Sequence, residues 1–292
     1  MTRPQPDGSR DLRIEDPSNL WLIHPAGRAL LPHAVRLRVS ANAVSVAGLL
    51  LGAGAAAAYA QWDDWRFAFL GLALSIGWLV ADGLDGMVAR ATGTASALGR
   101  FLDGLCDHGV FLLIYLTLAA SVGTAQGWAL AIAAGVAHAV QSNLYEGERA
   151  RFQRRARGNA QPVPPPVQGN ALVRAYDTLS TSLDRAALRF ERRMARDADP
   201  LAFGRAYAQA AAPVMKRMAW LSANVRVQAI FLACLLGDPQ LFWAFEIVVL
   251  SAIATITIVR HRAIERALAG DVPFPAAGRR VAGIITKEQG HR

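Results

Sequence analysis

DGLDGMVARATGTASALGRFLDGLCD, residues 82–107, joins the apolar run FAFLGLALSIGWLVA (67–81) to the apolar run GVFLLIYLTLAASVG (109–123). Asp82, Asp85, Asp103 and Asp107 therefore fall within or at the ends of segments long and apolar enough to be read as membrane-spanning helices. An ionised Asp near mid-bilayer costs about 2.5–3.5 kcal/mol on insertion scales, and four like charges close together add repulsion to that. Such a set persists only where something offsets its charge.

Working outward, the 292 residues are 53% hydrophobic, and apolar stretches near twenty residues recur along them. The fold class is therefore all-α, a polytopic membrane protein, with six spans near 41–60, 67–89, 98–121, 128–147, 218–236 and 240–259. The connections QWDDWR, VGTAQG and GDPQ hold one basic residue between them, whereas the N-terminal flank, residues 148–217 and the C-terminal tail are rich in arginine. By the positive-inside bias this predicts cytoplasmic N- and C-termini, and it makes the net charge of +9 mainly a matter of topology. Nucleic acid is not expected as a partner; membrane lipids are. The first residues carry no apolar stretch of the signal-peptide kind, so insertion is expected to rely on the internal spans. Cys106 and Cys234 both sit in apolar runs and read as packed thiols rather than a disulfide or zinc site.

The organisation follows from these windows. Residues 1–39 form an N-terminal segment in which Leu20, Ile23, Leu30, Leu31, Val35 and Leu37 alternate with His and Arg, the pattern of an interfacial amphipathic helix. Residues 40–147 hold spans one to four, 148–217 a basic cytoplasmic loop with the Pro-rich stretch GNAQPVPPPVQGN, 218–260 spans five and six, and 261–292 a cytoplasmic tail. The helical, densely charged segment after the prolines reads first as a solvated helix.

Asp82 and Asp85 are three residues apart and Asp103 and Asp107 four, so each pair projects from one helix face with roughly 4.5–6 Å of rise between its members. The short turn between spans two and three makes these helices antiparallel neighbours whose acids converge. Four carboxylates can hold one or two Mg²⁺ or Mn²⁺ ions with positions left for phosphate oxygens. The same acids would also suit a water-filled inlet or a proton path. Gly86, Ala89 and Gly99 bring bare backbone toward the carboxylates, which serves close helix packing or leaves room for a bulky group. Arg90, eight residues after Asp82 on the same face, suits a phosphate or the balancing of the acids.

The series Asp82-x2-Asp85-Gly86-x2-Ala89-Arg90-x8-Gly99-x3-Asp103-x3-Asp107 resembles, without departure, the signature of the CDP-alcohol phosphotransferase (CDP-alcohol phosphatidyltransferase) family of integral membrane enzymes. The resemblance implies transfer of a phosphatidyl or other phospho-alcohol group from a CDP-linked donor to an acceptor alcohol, with release of CMP in phospholipid biosynthesis. It implies divalent metal on Asp82, Asp85, Asp103 and Asp107, a general base at Asp107, and a CDP site lined by Gly86, Ala89, Arg90 and Gly99. It further implies a homodimer and a bacterial inner-membrane location with the site toward the cytoplasm. The stretch SANAVSVAGLLLG (40–52) is similar to the family's Pro-Asn-x-x-Thr start to span one, with Ala41 and Ser45 in place of the proline and threonine, and no functional role is expected of it.

The acceptor is read from the remaining cations. A phosphorylated polyol, such as inositol phosphate or glycerol phosphate, would need positive groups beside the acids, and Arg149, Arg226 and Arg260 are the candidates. Arg226 stands eight residues into the fifth window, roughly 12 Å along a helix, where a guanidinium requires a partner or a ligand, the plainer readings being snorkelling to the interface or pairing with one of the four aspartates. A neutral acceptor such as serine, inositol or a lipid hydroxyl is the alternative. A cation or proton transporter using the same acids is the alternative class, and it would not need the small residues at fixed gaps. His108 and His138 read as packed or interfacial rather than catalytic.

Overall fold

A computed structural model describes residues 11–95, 97–161 and 187–270, with side chains left out along 97–103 and at 105. Most of the Pro-rich stretch, the first part of the charged segment behind it and the last twenty-odd residues of the tail lie outside the described residues. The described residues are helical or form turns, with no strand among them. We label the helices α1 (His24–Arg36), α2 (Ala41–Tyr59), α3 (Trp65–Ala91), α4 (Ala97–Val122), α5 (Ala125–Ala156), α6 (187–195), α7 (Pro200–Met218), α8 (Ala223–Leu235) and α9 (Gln240–Leu268).

Local chemistry sets the boundaries. The Ser40 hydroxyl accepts from the Ala43 N–H at 3.2 Å and starts α2, and the Asp64 carboxylate accepts from the Arg66 N–H at 2.9 Å and starts α3. Gly93, in the left-handed region at φ 66°, closes α3, with the Thr94 N–H returning to the Ala89 carbonyl at 2.9 Å. Asp199 caps α7 through the Ala202 N–H at 2.9 Å, with Pro200 in the first turn, where a missing N–H costs nothing.

Among the described residues three helices, α2, α3 and α9, are long and apolar enough to cross a membrane. The count becomes four if the bent pair Pro200–Leu221 and Ala223–Leu235 is taken as one span, and Cys106–Val122 of α4 is a shorter apolar helix. The fifth window is thus not one straight helix. Ser222 takes an extended conformation, with ψ 160°, between two helical segments that meet at 42°. Hydropathy averages over such a break because the residues on either side are apolar.

The chain divides into two compact units. The first holds Glu15–Ser142 and Trp220–Ala252; the second holds Asn143–Ala219, the residues from Ile253 onward and a short N-terminal piece ending at Ile14. In the first unit, small residues let helix backbones approach. A Cβ on Gly52 of α2 would lie 2.3 Å from Val110 Cγ2 of α4, and one on Gly71 of α3 would lie 2.5 Å from the Tyr59 ring of α2. Tyr59, Trp78, Val110, Ile114, Leu118, Ile230 and Trp243 are buried in its core. Leu50, Leu112, Leu116, Ile132, Val136 and Leu232 are exposed, as an apolar solvent for the outer faces requires. Trp21, Leu22, Leu30, Val35 and Leu37 are exposed along and beside α1.

The second unit packs Phe152 of α5, Phe190 and Met194 of α6, and Phe203 and Tyr207 of α7 as buried side chains, with tilted ring contacts of 5.0–5.8 Å among the aromatics. Around them lies a network of arginines and glutamates.

Candidate active site

The last three turns of α3 carry Asp82, Asp85, Gly86, Ala89 and Arg90, and the first three turns of α4 carry Gly99, Asp103 and Asp107. Gly99 and Asp103 fall on the α4 backbone, but their surroundings lie outside the described side chains. Asp85 is buried, Asp82 and Asp107 are half-buried, and Arg90 is exposed. The Arg90 guanidinium folds back over Gly86, where an added Cβ would come within 3.3 Å of Nη1.

Two neutral donors hold these acids. The Ser45 hydroxyl of α2 donates to Asp85 Oδ2 at 2.5 Å, and the Trp78 indole N–H of α3 donates to Asp107 Oδ1 at 3.2 Å. Ser45, in the segment of which no role is expected, is thus in contact with one of the acids. Trp78 was not singled out by sequence reasoning; its only signal there is its place four residues, one helical turn, before Asp82. Phe111, one turn beyond Asp107, meets the Trp78 ring edge-on at 5.3 Å. His108 is exposed and its ring Nδ1 hydrogen-bonds the Gly104 carbonyl at 2.6 Å.

The structure pairs Arg226 internally, with a glutamate rather than one of the four aspartates. It lies three residues into α8 rather than eight into a continuous span, and it is 1% exposed. Its Nε donates to both Glu246 oxygens at 3.0 and 3.2 Å, Nη2 donates to Gln141 Oε1 at 2.9 Å, and Nη1 donates to the Leu221 carbonyl at the break. Gln141 in turn donates to the Glu246 carbonyl and to Ser251 Oγ. Glu246 sits in a π-helical turn, Phe245–Leu250, of the kind that opens a helix to a side-chain partner. Arg149 and Arg260 belong to the second unit; Arg149 bonds Glu146 at 3.3 Å, and Arg260 is exposed.

The second unit also brings ligand atoms of Glu148, His261 and Glu265 within 4.8 Å of one another. This trio does not fit a divalent cation. Arg262 and Arg151 donate to Glu148 Oε1, His261 and Arg262 share its Oε2, and Arg262 and Arg155 cover Glu265. His261 Nε2 is bonded to the Tyr207 hydroxyl at 2.7 Å, so its second ring nitrogen is also engaged. A cation would have to displace guanidinium groups from a buried network, leaving those charges uncompensated. The Asp set on α3 and α4 offers hard carboxylate oxygens of the kind a divalent cation takes, and an uncharged donor reaches one oxygen each of Asp85 and Asp107.

No curated protein matches the chain. Residues 38–160, from the turn before α2 to just beyond α5, match the model of the CDP-alcohol phosphatidyltransferase family, whose members are transferases of phosphate-linked groups, and the match takes in every acid of the α3–α4 set together with Ser45 and Trp78.

Proposed function

We propose that the chain is an integral membrane transferase that moves a phospho-alcohol group from a CDP-linked donor, CDP-diacylglycerol in our reading, to an acceptor hydroxyl and releases CMP. The observation that carries this is the pair of oriented carboxylates, Asp85 and Asp107, on two helices inside the matched segment. Asp82, Asp85, Asp103 and Asp107 would hold Mg²⁺ or Mn²⁺. When bound, such an ion supplies charge stabilisation to the donor diphosphate as the leaving group gains negative charge. Asp107 takes the proton of the acceptor hydroxyl, and the freed oxygen attacks the phosphorus that bears the donor's alcohol. A P–O bond forms there, and the bond from that phosphorus to CMP breaks. Gly86, Ala89, Arg90 and Gly99 line the CDP side of the site, with Arg90 meeting a phosphate oxygen.

Internal commitment of Arg226 removes one of the three cations named for a phosphorylated polyol and so adds weight to a neutral acceptor, such as inositol, serine or a lipid hydroxyl. A phosphate monoester needs a guanidinium whose donors are available, and those of Arg226 are engaged with Glu246, Gln141 and Leu221. In the same reading the six helical windows span the membrane with both termini and the site toward the cytoplasm. There α1 lies in the interface and two copies of the chain associate.

The test is CMP release by the purified protein in lipid–detergent micelles with Mg²⁺ or Mn²⁺, CDP-diacylglycerol and a panel of acceptors. Turnover with a neutral alcohol, abolished in Asp107→Asn with donor binding retained, supports the proposal. Turnover with glycerol phosphate or inositol phosphate alone returns the acceptor to the phosphorylated class. Uptake of a cation or proton by reconstituted vesicles, without CMP release, would make the acids part of a transport path.

A further inference from the structure

We propose that Trp78 is a positioning residue for Asp107, a role that rests on the reading of Asp107 as the group that takes the acceptor's proton. Trp78 is 2% exposed, so its indole N–H has no water to turn to and must find a partner in the protein. It finds Asp107, 29 residues away on the next helix, at 3.2 Å. The indole is held on two sides. Phe111 of α4 meets the ring in a T-shaped contact at 5.3 Å, and Gly48 of α2 lies beside it, where an added Cβ would be in ordinary contact with Trp78 Cδ1 at 3.5 Å. A donor clamped in this way cannot follow the carboxylate; the carboxylate must follow it. With Oδ1 tied to the indole, the rotation of the Asp107 carboxyl group is restricted, and with it the range of directions open to Oδ2.

The choice of residue has a chemical reason. A lysine or arginine would also orient Asp107, but its charge would oppose the negative charge that a base and a metal ligand both require. Indole N–H is a donor only, does not ionise, and carries a ring large enough to be fixed by packing. Misplacement of a reacting group by about 1 Å costs up to roughly a hundredfold in rate, so loss of the donor should be read in turnover and not in donor binding.

The experiment compares Trp78→Phe, which keeps a ring and loses the N–H, with Trp78→His, which keeps a ring N–H, in the full chain. Three quantities are measured: Mn²⁺ affinity by electron paramagnetic resonance, KM for the CDP donor, and kcat. We expect Trp78→Phe to lower kcat about ten- to hundredfold with Mn²⁺ affinity and donor KM within about threefold of wild type. Trp78→His should recover at least threefold of that loss. A kcat for Trp78→Phe within twofold of wild type overturns the proposal, as does equal impairment of the two variants, which would mark a packing role. Should neither variant insert, the ¹⁵N-tryptophan spectrum decides: Asp107→Asn must shift one indole N–H resonance among the seven tryptophans, and no shift refutes the contact. Wild-type chain that binds Mn²⁺ but releases no CMP with any donor or acceptor overturns the transferase reading itself. That result precedes every Trp78 variant, so the two failures are told apart.

Discussion

Replacing Arg226 by alanine removes a guanidinium that is bonded through Nε to both oxygens of Glu246, through Nη2 to Gln141 and through Nη1 to the Leu221 carbonyl. Arg226 and Glu246 are 1% and 0% exposed, so water cannot replace the lost donors without opening the helix packing. Breaking a buried pair by removing one partner costs about 3–5 kcal/mol in soluble proteins. In a bilayer the reference state also finds partners, and polar contacts there average nearer 0.6 kcal/mol. Glu246 can also shed its charge by taking a proton, which caps the loss. A net cost of about 1–3 kcal/mol follows, and at roughly 2–4 °C per kcal/mol it lowers the melting temperature by roughly 2–12 °C. The assay is thermal unfolding of the detergent-solubilised protein, followed by loss of the monodisperse peak in size exclusion. The double variant Arg226→Met with Glu246→Met should recover most of the loss, because two apolar side chains leave no orphaned charge. An Arg226→Ala protein with wild-type melting and a selectively raised KM for a phosphorylated acceptor would refute the internal role and return Arg226 to the substrate.

Ser45→Ala withdraws the hydroxyl from Asp85 and should lower activity about tenfold, whereas Ser45→Thr should stay near wild type. Metal titrations of CMP release distinguish the two. Gly52→Ala places a Cβ 2.3 Å from Val110 Cγ2, a stiff side chain with no exposure, and should cost about 1–3 kcal/mol in thermal unfolding, partly relieved by Val110→Ala. In the second unit, burial pushes the Glu191 carboxyl up, but Arg154, Arg155 and the Gln161 N–H together hold it below the usual carboxylate range. A carboxyl lowered in the folded state stabilises it above the ordinary carboxylate pKa, and that contribution is lost as pH falls through the folded value. Protease resistance of the 143–219 region should therefore fall on acidification in wild type and respond less in Glu191→Gln, which starts weaker at neutral pH.

Much of the helical architecture was legible because hydropathy and helix length report on the solvent each helix meets. The windows near 41–60 and 67–89 coincide with α2 and α3 to within a few residues. The break at Ser222 was not legible, since a single extended residue between apolar neighbours leaves the average unchanged. At the site, spacing says which acids share a helix face, because that is set within four residues. It does not say which side chains on other helices reach them: Ser45 and Asp85 are 40 residues apart, and Trp78 and Asp107 are 29 apart. Arg226 shows the same limit from the other side. Its place in an apolar run made a partner necessary, but Gln141 and Glu246 lie 85 and 20 residues away, and only the fold selects them over a ligand.

The two acid sets of this chain separate by what compensates them. Glu148 and Glu265 meet Arg151, Arg155 and Arg262, so their charge is cancelled within the second unit and their oxygens are spent. Such a network resists the loss of any one member, because each removal leaves an opposite charge buried. Asp85 and Asp107 are treated differently: a hydroxyl and an indole N–H fix one oxygen of each and contribute no formal charge. A donor that orients a carboxylate without adding charge suits a cation site and a base, since both depend on negative charge held at a defined position. Adding a positive group at Trp78 should therefore be worse than deleting the donor. Trp78→Lys would place an ammonium within reach of Asp107 and compete with the ion for the same carboxylate, so it should weaken Mn²⁺ binding where Trp78→Phe does not. Equal Mn²⁺ affinity in the lysine and phenylalanine variants would show that charge at this position is irrelevant to the acids, and the distinction between the two sets would fall with it.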